Sequence, residues 1–539
     1  MTSLSFRLAL LSLASVPTAI SAQAPPNVLL VIADDLGVDR LRGYHDAGLL
    51  ATTPTLDSLR AAGLTFANAQ AAPACSPSRA ALLTGKYGVR NGVLGVPGDL
   101  DPAQASLFRA VDSLDVDDAA AADYATALIG KWHLSRRATA SSPLAFDMDH
   151  FDGFLSGAVD DYNEWSRTRD GATETSAEYA TAALTDAALA WTATQTRPWF
   201  LWLAHATPHT PYHVPPAGTF TVDNPRNNIR QYVAMIENLD YELGRLLDGL
   251  DADTRANTLV LFVGDNGTPG NVMQDYPDGH GKGSLYQGGV RVPLIVAGAG
   301  VTRSGEREDA LVHIADLHAT ILEAAGSGLP GGRFNGRSFY GLLSDAGAGT
   351  RRYNYDEMLA NGNNGVTGYS IRGPRYKVIV PEGGAREIYD LALDSFETQP
   401  LHVALGSSLA DTISDLLAEA EAIRAGWSCR DGIQNGEETG VDCGTTTCGA
   451  CTSAFGVLAK APNVGVRYAP ESRALIVEAA AGSIAALEVY DASGRRLLLR
   501  EGIRSPRLRA DLADLPAGPL SAVVTVGDGR QVRRVIVRP

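Results

Sequence analysis

The chain has 539 residues, 45% hydrophobic and 20% charged, with 56 Gly and 28 Pro, which excludes a disordered or collagen-like polymer. A formal net charge of −16 argues against nonspecific nucleic-acid binding, which needs a basic surface. At about 150 residues per domain the length allows two to four domains.

Residues 1–24 read as a signal peptide. Arg7 precedes an apolar run from Leu8 to Ile20, and small residues close it at Ala22-Gln23-Ala24. No later apolar run reaches the roughly 20 residues of a spanning helix, so no membrane span is expected. Asn27–Ala33 is a continuous apolar stretch ending in Asp34-Asp35, and it predicts a buried parallel strand that delivers two carboxylates. Trp199–Ala204 repeats the pattern and leads to His205 and His209. Thr258–Val263 leads to Asp265-Asn266, and Pro293–Ala297 is a fourth such run. Helical stretches at Thr55–Ala62, Tyr232–Leu250 and Ile314–Ala325 alternate with them. The fold class expected over residues 25–345 is therefore α/β, with a mostly parallel central sheet sandwiched by helices. Such sheets bind ligands beyond their carboxyl ends, where three of the four runs place polar, metal-competent residues.

From 346 to 425 the character changes. Tyr369–Val380 and Arg386–Leu391 predict short antiparallel strands and Asp411–Ala425 a closing helix, together a smaller α+β subdomain. Residues 426–455 form a linker in which Cys429, Cys443, Cys448 and Cys451 fall within 23 residues. Four cysteines allow three pairings; a zinc knuckle is the other arrangement, and an exported chain favours disulfides. Residues 456–539 carry short alternating stretches with turns at Asp491–Gly494 and Gly527–Gly529, predicting a separate β-sandwich. From 491 onward ten Arg face five acidic residues.

The fifth cysteine stands alone in Cys75-Ser-Pro-Ser-Arg-Ala-Ala-Leu-Leu-Thr-Gly85. This resembles the sulfatase signature, C-x-P-S-R followed by a helix turn and L-T-G. Five further segments resemble that family in the same order: Asp34-Asp-Leu-Gly37, Gly130-Lys-Trp-His133, Pro208-His-Thr-Pro211, Gly264-Asp-Asn-Gly267 and Lys282-Gly-Ser-Leu-Tyr-Gln-Gly-Gly-Val-Arg291. The resemblance covers roughly residues 26–425 and implies an alkaline phosphatase-like fold, with Cys75 oxidised after translation to Cα-formylglycine by a sulfatase-maturing enzyme. It also implies one Ca²⁺ held by Asp34, Asp35, Asp265, Asn266 and residue 75. The donor chemistry agrees, because these Asp and Asn side chains offer hard oxygens and no imidazole, a set that suits Ca²⁺ or Mg²⁺ and disfavours Zn²⁺.

The modification has a physical rationale. A hydrated aldehyde presents two hydroxyls: one attacks sulfur, forms a covalent sulfo-enzyme and releases the alcohol. The other then loses its proton, and collapse of the adduct expels sulfate. A serine could attack but could not eliminate, and a metal would lower the attacking hydroxyl's pKa. Arg79 lies one helical turn from Cys75 on the same face and should orient the diol. By the resemblance Lys131 and Lys282 contact the sulfate. Only five of the 45 basic residues are lysine (Lys86, Lys131, Lys282, Lys377, Lys460), and retaining two of them here suits a compact point charge. His133 is the expected base for collapse, and His209 binds sulfate or protonates the leaving oxygen. His205, His213 and His280 are expected to pack rather than to act. Lys86 and Gln287 depart from the family pattern, which often has Arg and Glu there, and neither is expected at the chemistry.

The function expected is a secreted enzyme hydrolysing sulfate monoesters, with sulfated polysaccharides or their fragments as substrates because of export. Two other readings stand beside it. A phosphonate monoester or phosphodiester hydrolase of the same superfamily would tend to carry His after the metal Asp, where this chain has Asn266. The other is a catalytically silent surface glycan-binding protein with an unmodified Cys75. The tail, from Leu487–Arg495 through Leu515–Gly518, is similar to C-terminal sorting domains of type IX secretion. This implies secretion machinery as a partner and a place outside or on a bacterial cell. Specificity is expected from loops 141–175 and 354–368.

Overall fold

A computed structural model describes residues 25–112, 124–326, 334–348, 351–359, 367–402 and 408–424, and seven strands between Val464 and Arg538. The expected signal peptide and Cys429, Cys443, Cys448 and Cys451 lie outside the described residues. The chain divides into two compact units, Met1–Ala450 and Cys451–Pro539.

The first unit is built on ten strands: β1 (Asn27–Ala33), β2 (Leu64–Gln70), β3 (Ala125–Lys131), β4 (His150–Phe154), β5 (Trp165–Arg169), β6 (Ala172–Ser176), β7 (Trp199–Ala204), β8 (Thr258–Gly264), β9 (Leu294–Gly298) and β10 (Glu306–His313). They form one sheet in the order β10-β2-β9-β8-β1-β7-β3-β4-β5-β6. The pairs β8/β1, β1/β7, β7/β3, β3/β4 and β2/β10 are parallel, so the mostly parallel α/β sheet is the fold. The continuous apolar character of β1 follows from burial on both faces. Val28, Leu30 and Ile32 enter one core with helices Cys75–Thr84 and Asp316–Ala324. Leu29, Val31 and Ala33 enter a second core with helices Ala180–Thr192 and Asn228–Gly249. An alternating pattern would leave one face polar and could not serve here.

β9 differs from expectation. It is buried, but antiparallel to both β8 and β2. No helix crosses back over the sheet between β8 and β9. Residues 265–293 instead stay at the carboxyl edge, and Leu294 starts opposite Val263. A chain that turns round without a crossover must run the other way.

A second sheet, β11 (Asn354–Met358), β12 (Gly368–Arg372), β13 (Tyr376–Pro381) and β14 (Glu387–Asp390), is antiparallel throughout. Helix Ser408–Arg424 buries Ile413, Leu416 and Ala420 against it, in a cluster that also holds Tyr87 and Val89. The second unit carries two antiparallel sheets of three and four strands. Buried Leu475 and Val477 on one, and Leu487 and Val489 on the other, alternate as a sandwich requires. No described helix is long and apolar enough to cross a membrane.

Candidate active site

The carboxyl edge of the large sheet collects the expected residues from sequence positions 34 to 282. Asp34 and Asp35 follow β1, and Cys75 opens the helix after β2. Lys131 ends β3 with His133 just beyond, His209 follows β7, and Asp265 and Asn266 follow β8. Lys282 comes from the long segment that precedes β9. This is the edge at which open α/β sheets bind ligands.

Helix Cys75–Thr84 is buried along its whole length, with Ala74 extended at its start and no side-chain cap. Its first N–H groups and positive dipole end are therefore free to face an anion. Gly85 ends it in the left-handed conformation (φ 66°) with its N–H on Ala81 O, which Gly adopts without strain. Cys75 Sγ lies 3.5 Å from Asp34 Oδ1 and 3.9 Å from Asp35 Oδ1. Lys131 Nζ is 2.6 Å from Asp34 Oδ2, and Lys282 Nζ is 2.5 Å from Asp35 Oδ1. His209 Nε2 stands 3.6 Å from Asp35 Oδ2.

Arg79 makes a contact that spacing alone does not disclose. Its Nη2 and Nε donate to Asp265 Oδ2 at 2.7 and 3.1 Å, and Nη1 donates to the Lys131 carbonyl at 3.1 Å. Asp265 Oδ1 accepts from the Asp35 N–H at 3.0 Å. Arg79 thus holds the β8 carboxylate against the β1 turn.

Asn266 Nδ2 donates to Asp35 Oδ1 at 2.8 Å, while Asn266 Oδ1 is buried without a hydrogen-bond partner. One ligand atom from each of Asp34, Asp35, Cys75 and His209 falls within 4.8 Å of the others. A buried acyl oxygen with no donor, beside two carboxylates, fits a hard cation. The imidazole of His209 in this group is an addition to the oxygen-only set read from the sequence.

Electrostatics follow from burial and neighbours. Burial opposes ionisation of Asp34, yet Lys131, His209, Arg79 and Lys282 together hold its carboxyl well below the usual range. Asp35 is lowered likewise, against burial, by Lys282 and His209. Burial, then Lys131 and Arg79, push His133 down to about 2, so its ring is neutral. Burial raises the Cys75 thiol to about 12 despite Lys131 and Lys282. The sulfur is therefore a protonated thiol at neutral pH and a poor nucleophile as it stands.

The three histidines expected to pack do so. His205 is fully buried and pushed down to about 3 by that burial. His213 contacts Tyr179 Oη at 3.0 Å, and His280 stacks on Tyr286 with ring centroids 3.5 Å apart. Lys86 Nζ donates to Gln104 at 2.9 Å, the backbone N–H of Gln287 donates to Glu397, and neither residue lines the cavity beside Cys75.

Several supporting residues carry no motif signal. Tyr232 Oη donates to the Asp35 carbonyl at 2.7 Å, and Ser76 Oγ to the His133 carbonyl at 2.8 Å. Thr268 Oγ1 accepts from Gly37 N–H at 3.2 Å and donates to Asp39. A Cβ at Gly157 would come within 2.7 Å of the His133 ring, so a larger residue there would have to displace that imidazole. A cavity of about 830 Å³ is lined by Cys75, His133, His209, Lys282 and Tyr212, among others. Gly157 and Ala158 of loop 141–175 and Met358 of loop 354–368 reach it, as do Gly283 and Ser284 beside Lys282, and so do Pro269, Gly270, Asn271 and Gly279, which the sequence did not single out.

The family model for sulfatases matches residues 26–327, more than half of the chain. The chain belongs to the sulfatase family. A second model, the C-terminal part of N-sulphoglucosamine sulphohydrolase, matches residues 279–423. Arylsulfatase G of Rattus norvegicus is 27% identical over 459 residues, 70% of this chain and 82% of that protein. N-acetylgalactosamine-6-sulfatase of Homo sapiens is 30% identical over 358 residues, 58% of this chain and 65% of that protein. The crystal structure of Ps i-CgsB in complex with k-i-k-neocarrahexaose superposes with TM-score 0.65 at 24% identity, over 76% of this chain and 94% of that one, and shares its fold. The chain is a sulfuric ester hydrolase.

Proposed function

We propose that this sulfatase hydrolyses sulfate monoesters on sugars outside the cell, with residue 75 converted from Cys to formylglycine. The observation that carries the reading is the placement of Cys75 Sγ 3.5 and 3.9 Å from two carboxylates that Lys131 and Lys282 neutralise. The relatives named for an amino-sugar sulfate and the structural neighbour solved with a neocarrahexaose support a carbohydrate substrate. The buried, protonated thiol supports the need for modification.

Asp34, Asp35, Asp265 and Asn266 would hold one Ca²⁺ with the oxygen of the modified residue, supplying positive charge against sulfate oxygens and lowering the pKa of the attacking hydroxyl. When formed, the aldehyde hydrate supplies a nucleophile that can later be released by elimination. Lys131 and Lys282 present ammonium groups to the anion. His133 is neutral in its pocket with Nδ1 unpartnered, and it would take a proton only with a bound anion offsetting the burial, Lys131 and Arg79 that oppose its charging. His209, which like Lys282 stands against Asp35, would hand one to the leaving oxygen. Export through the 1–24 leader and display through the C-terminal unit complete the proposal.

The test is mass spectrometry of the Cys75 peptide from protein made with a sulfatase-maturing enzyme, alongside sulfate release from sulfated glycans. Formylglycine is about 18 Da lighter than cysteine. An active preparation carrying only unmodified Cys75 refutes the reading.

A further inference from the structure

The cavity beside Cys75 has an uneven distribution of charge. Among the described residues lining it, the cationic or basic groups are Lys282, His133 and His209, and the one acid is Asp35. All four belong to the site already described. The rest of the lining includes Val96, Pro97, Tyr212, Pro269, Asn271 and Met358, and no further Lys or Arg. Arg136 and Arg137, three and four residues beyond His133, are exposed and do not line the cavity.

A sulfate group drawn into such a cavity loses water, and an anion without a cationic partner there is strongly disfavoured. One sulfate finds Lys282 and the helix start at Cys75, with Lys131 buried behind Asp34. A second sulfate or a carboxylate on the same sugar would meet no further cation among the described lining residues. Tyr212 adds a positive element of recognition. It is half-buried, its ring meets Tyr232 edge-on at 5.8 Å, and its hydroxyl reaches Asn271 Oδ1 only at 3.4 Å. A ring held on one side by an aromatic neighbour, with an apolar body on the cavity, suits the C–H face of a sugar.

Building on the proposed function, we propose that this cavity accepts an uncharged sugar ring whose only sulfate is the one being cleaved, and that Tyr212 is the wall on which that ring packs. The site thereby selects monosulfated over multiply charged sugar units by leaving added anions unpaired.

The experiment compares 6-O-sulfated, 4-O-sulfated and 4,6-di-O-sulfated N-acetylgalactosamine with 4-nitrophenyl sulfate, using the formylglycine-bearing enzyme. The better monosulfated sugar is expected to exceed the disulfated one in kcat/KM by about tenfold or more. In the Cys75→Ala protein, which turns nothing over, the same order is expected in Kd by calorimetry. Tyr212→Ala should raise KM for the monosulfated sugar about tenfold, more than it lowers kcat, while Tyr212→Phe should restore KM. Equal or faster cleavage of the disulfated sugar, with 4-nitrophenyl sulfate also cleaved, overturns this inference and leaves the proposed function standing. Failure to cleave any of the esters with the aldehyde present overturns the proposed function itself.

Discussion

Arg79→Ala is the sharpest test of how the site is held together. Arg79 and Asp265 are both fully buried, and the guanidinium makes two contacts to one carboxylate oxygen and one to a carbonyl. In metal-free protein, truncation leaves the buried Asp265 carboxylate without its guanidinium partner, which typically costs about 3–5 kcal/mol, with the orphaned Lys131 carbonyl adding about 1 kcal/mol. Arg79→Lys keeps charge but loses the fork and should recover less than half of this. Guanidinium unfolding followed by tryptophan fluorescence reads the effect in the right part of the molecule, because all six tryptophans precede residue 450. A cycle with Asp265→Ala should give a coupling of about 2 kcal/mol, since each single change removes the same contact. A loss below about 1 kcal/mol for Arg79→Ala, or additive behaviour in the cycle, refutes the argument that Arg79 is the counter-ion of Asp265.

Other outcomes follow from the same geometry. Gly157→Ala should lower kcat about tenfold or more by displacing the His133 imidazole, with secondary structure unchanged by circular dichroism; wild-type kcat would show that the ring has room. Ca²⁺ at about 100 times its Kd should raise the unfolding free energy by about 2.7 kcal/mol, and a thermal shift absent with both Ca²⁺ and Mg²⁺ would count against the metal. Burial raises Glu357, which accepts from Val89 N–H and Tyr355 Oη, to about 7 from 4.5. A raised carboxyl pKa means that its contribution is present below 4.5 and lost as pH climbs through 7. Between pH 5 and 8 the wild type should therefore lose about 2.5 kcal/mol relative to Glu357→Gln; parallel stability curves would contradict this. Cys75→Ala should abolish turnover and retain binding of a sulfated sugar, measured by calorimetry.

The sequence alone determined the doubly covered strands, because a strand buried on both faces must be apolar at every position, as β1, β7 and β8 are. It also singled out Cys75, Arg79, Lys131, His133, His209, Asp265 and Lys282 by their motifs, and the structure brings these residues to one sheet edge. It did not disclose β3, whose Ala-Thr-Ala-Leu-Ile-Gly-Lys reads weakly, or the polar hairpin β5–β6. The direction of β9 was hidden too, since an apolar run reads the same either way along a sheet. Only the tertiary structure decided the partners: Arg79 with Asp265 from 186 residues away, Tyr232 under Asp35, glycine at 157 against His133, and Tyr212 on the cavity. Local pattern records whether a side chain is buried. What it is buried against depends on strand order and loop path, which bring distant segments to one sheet edge and leave no trace in spacing.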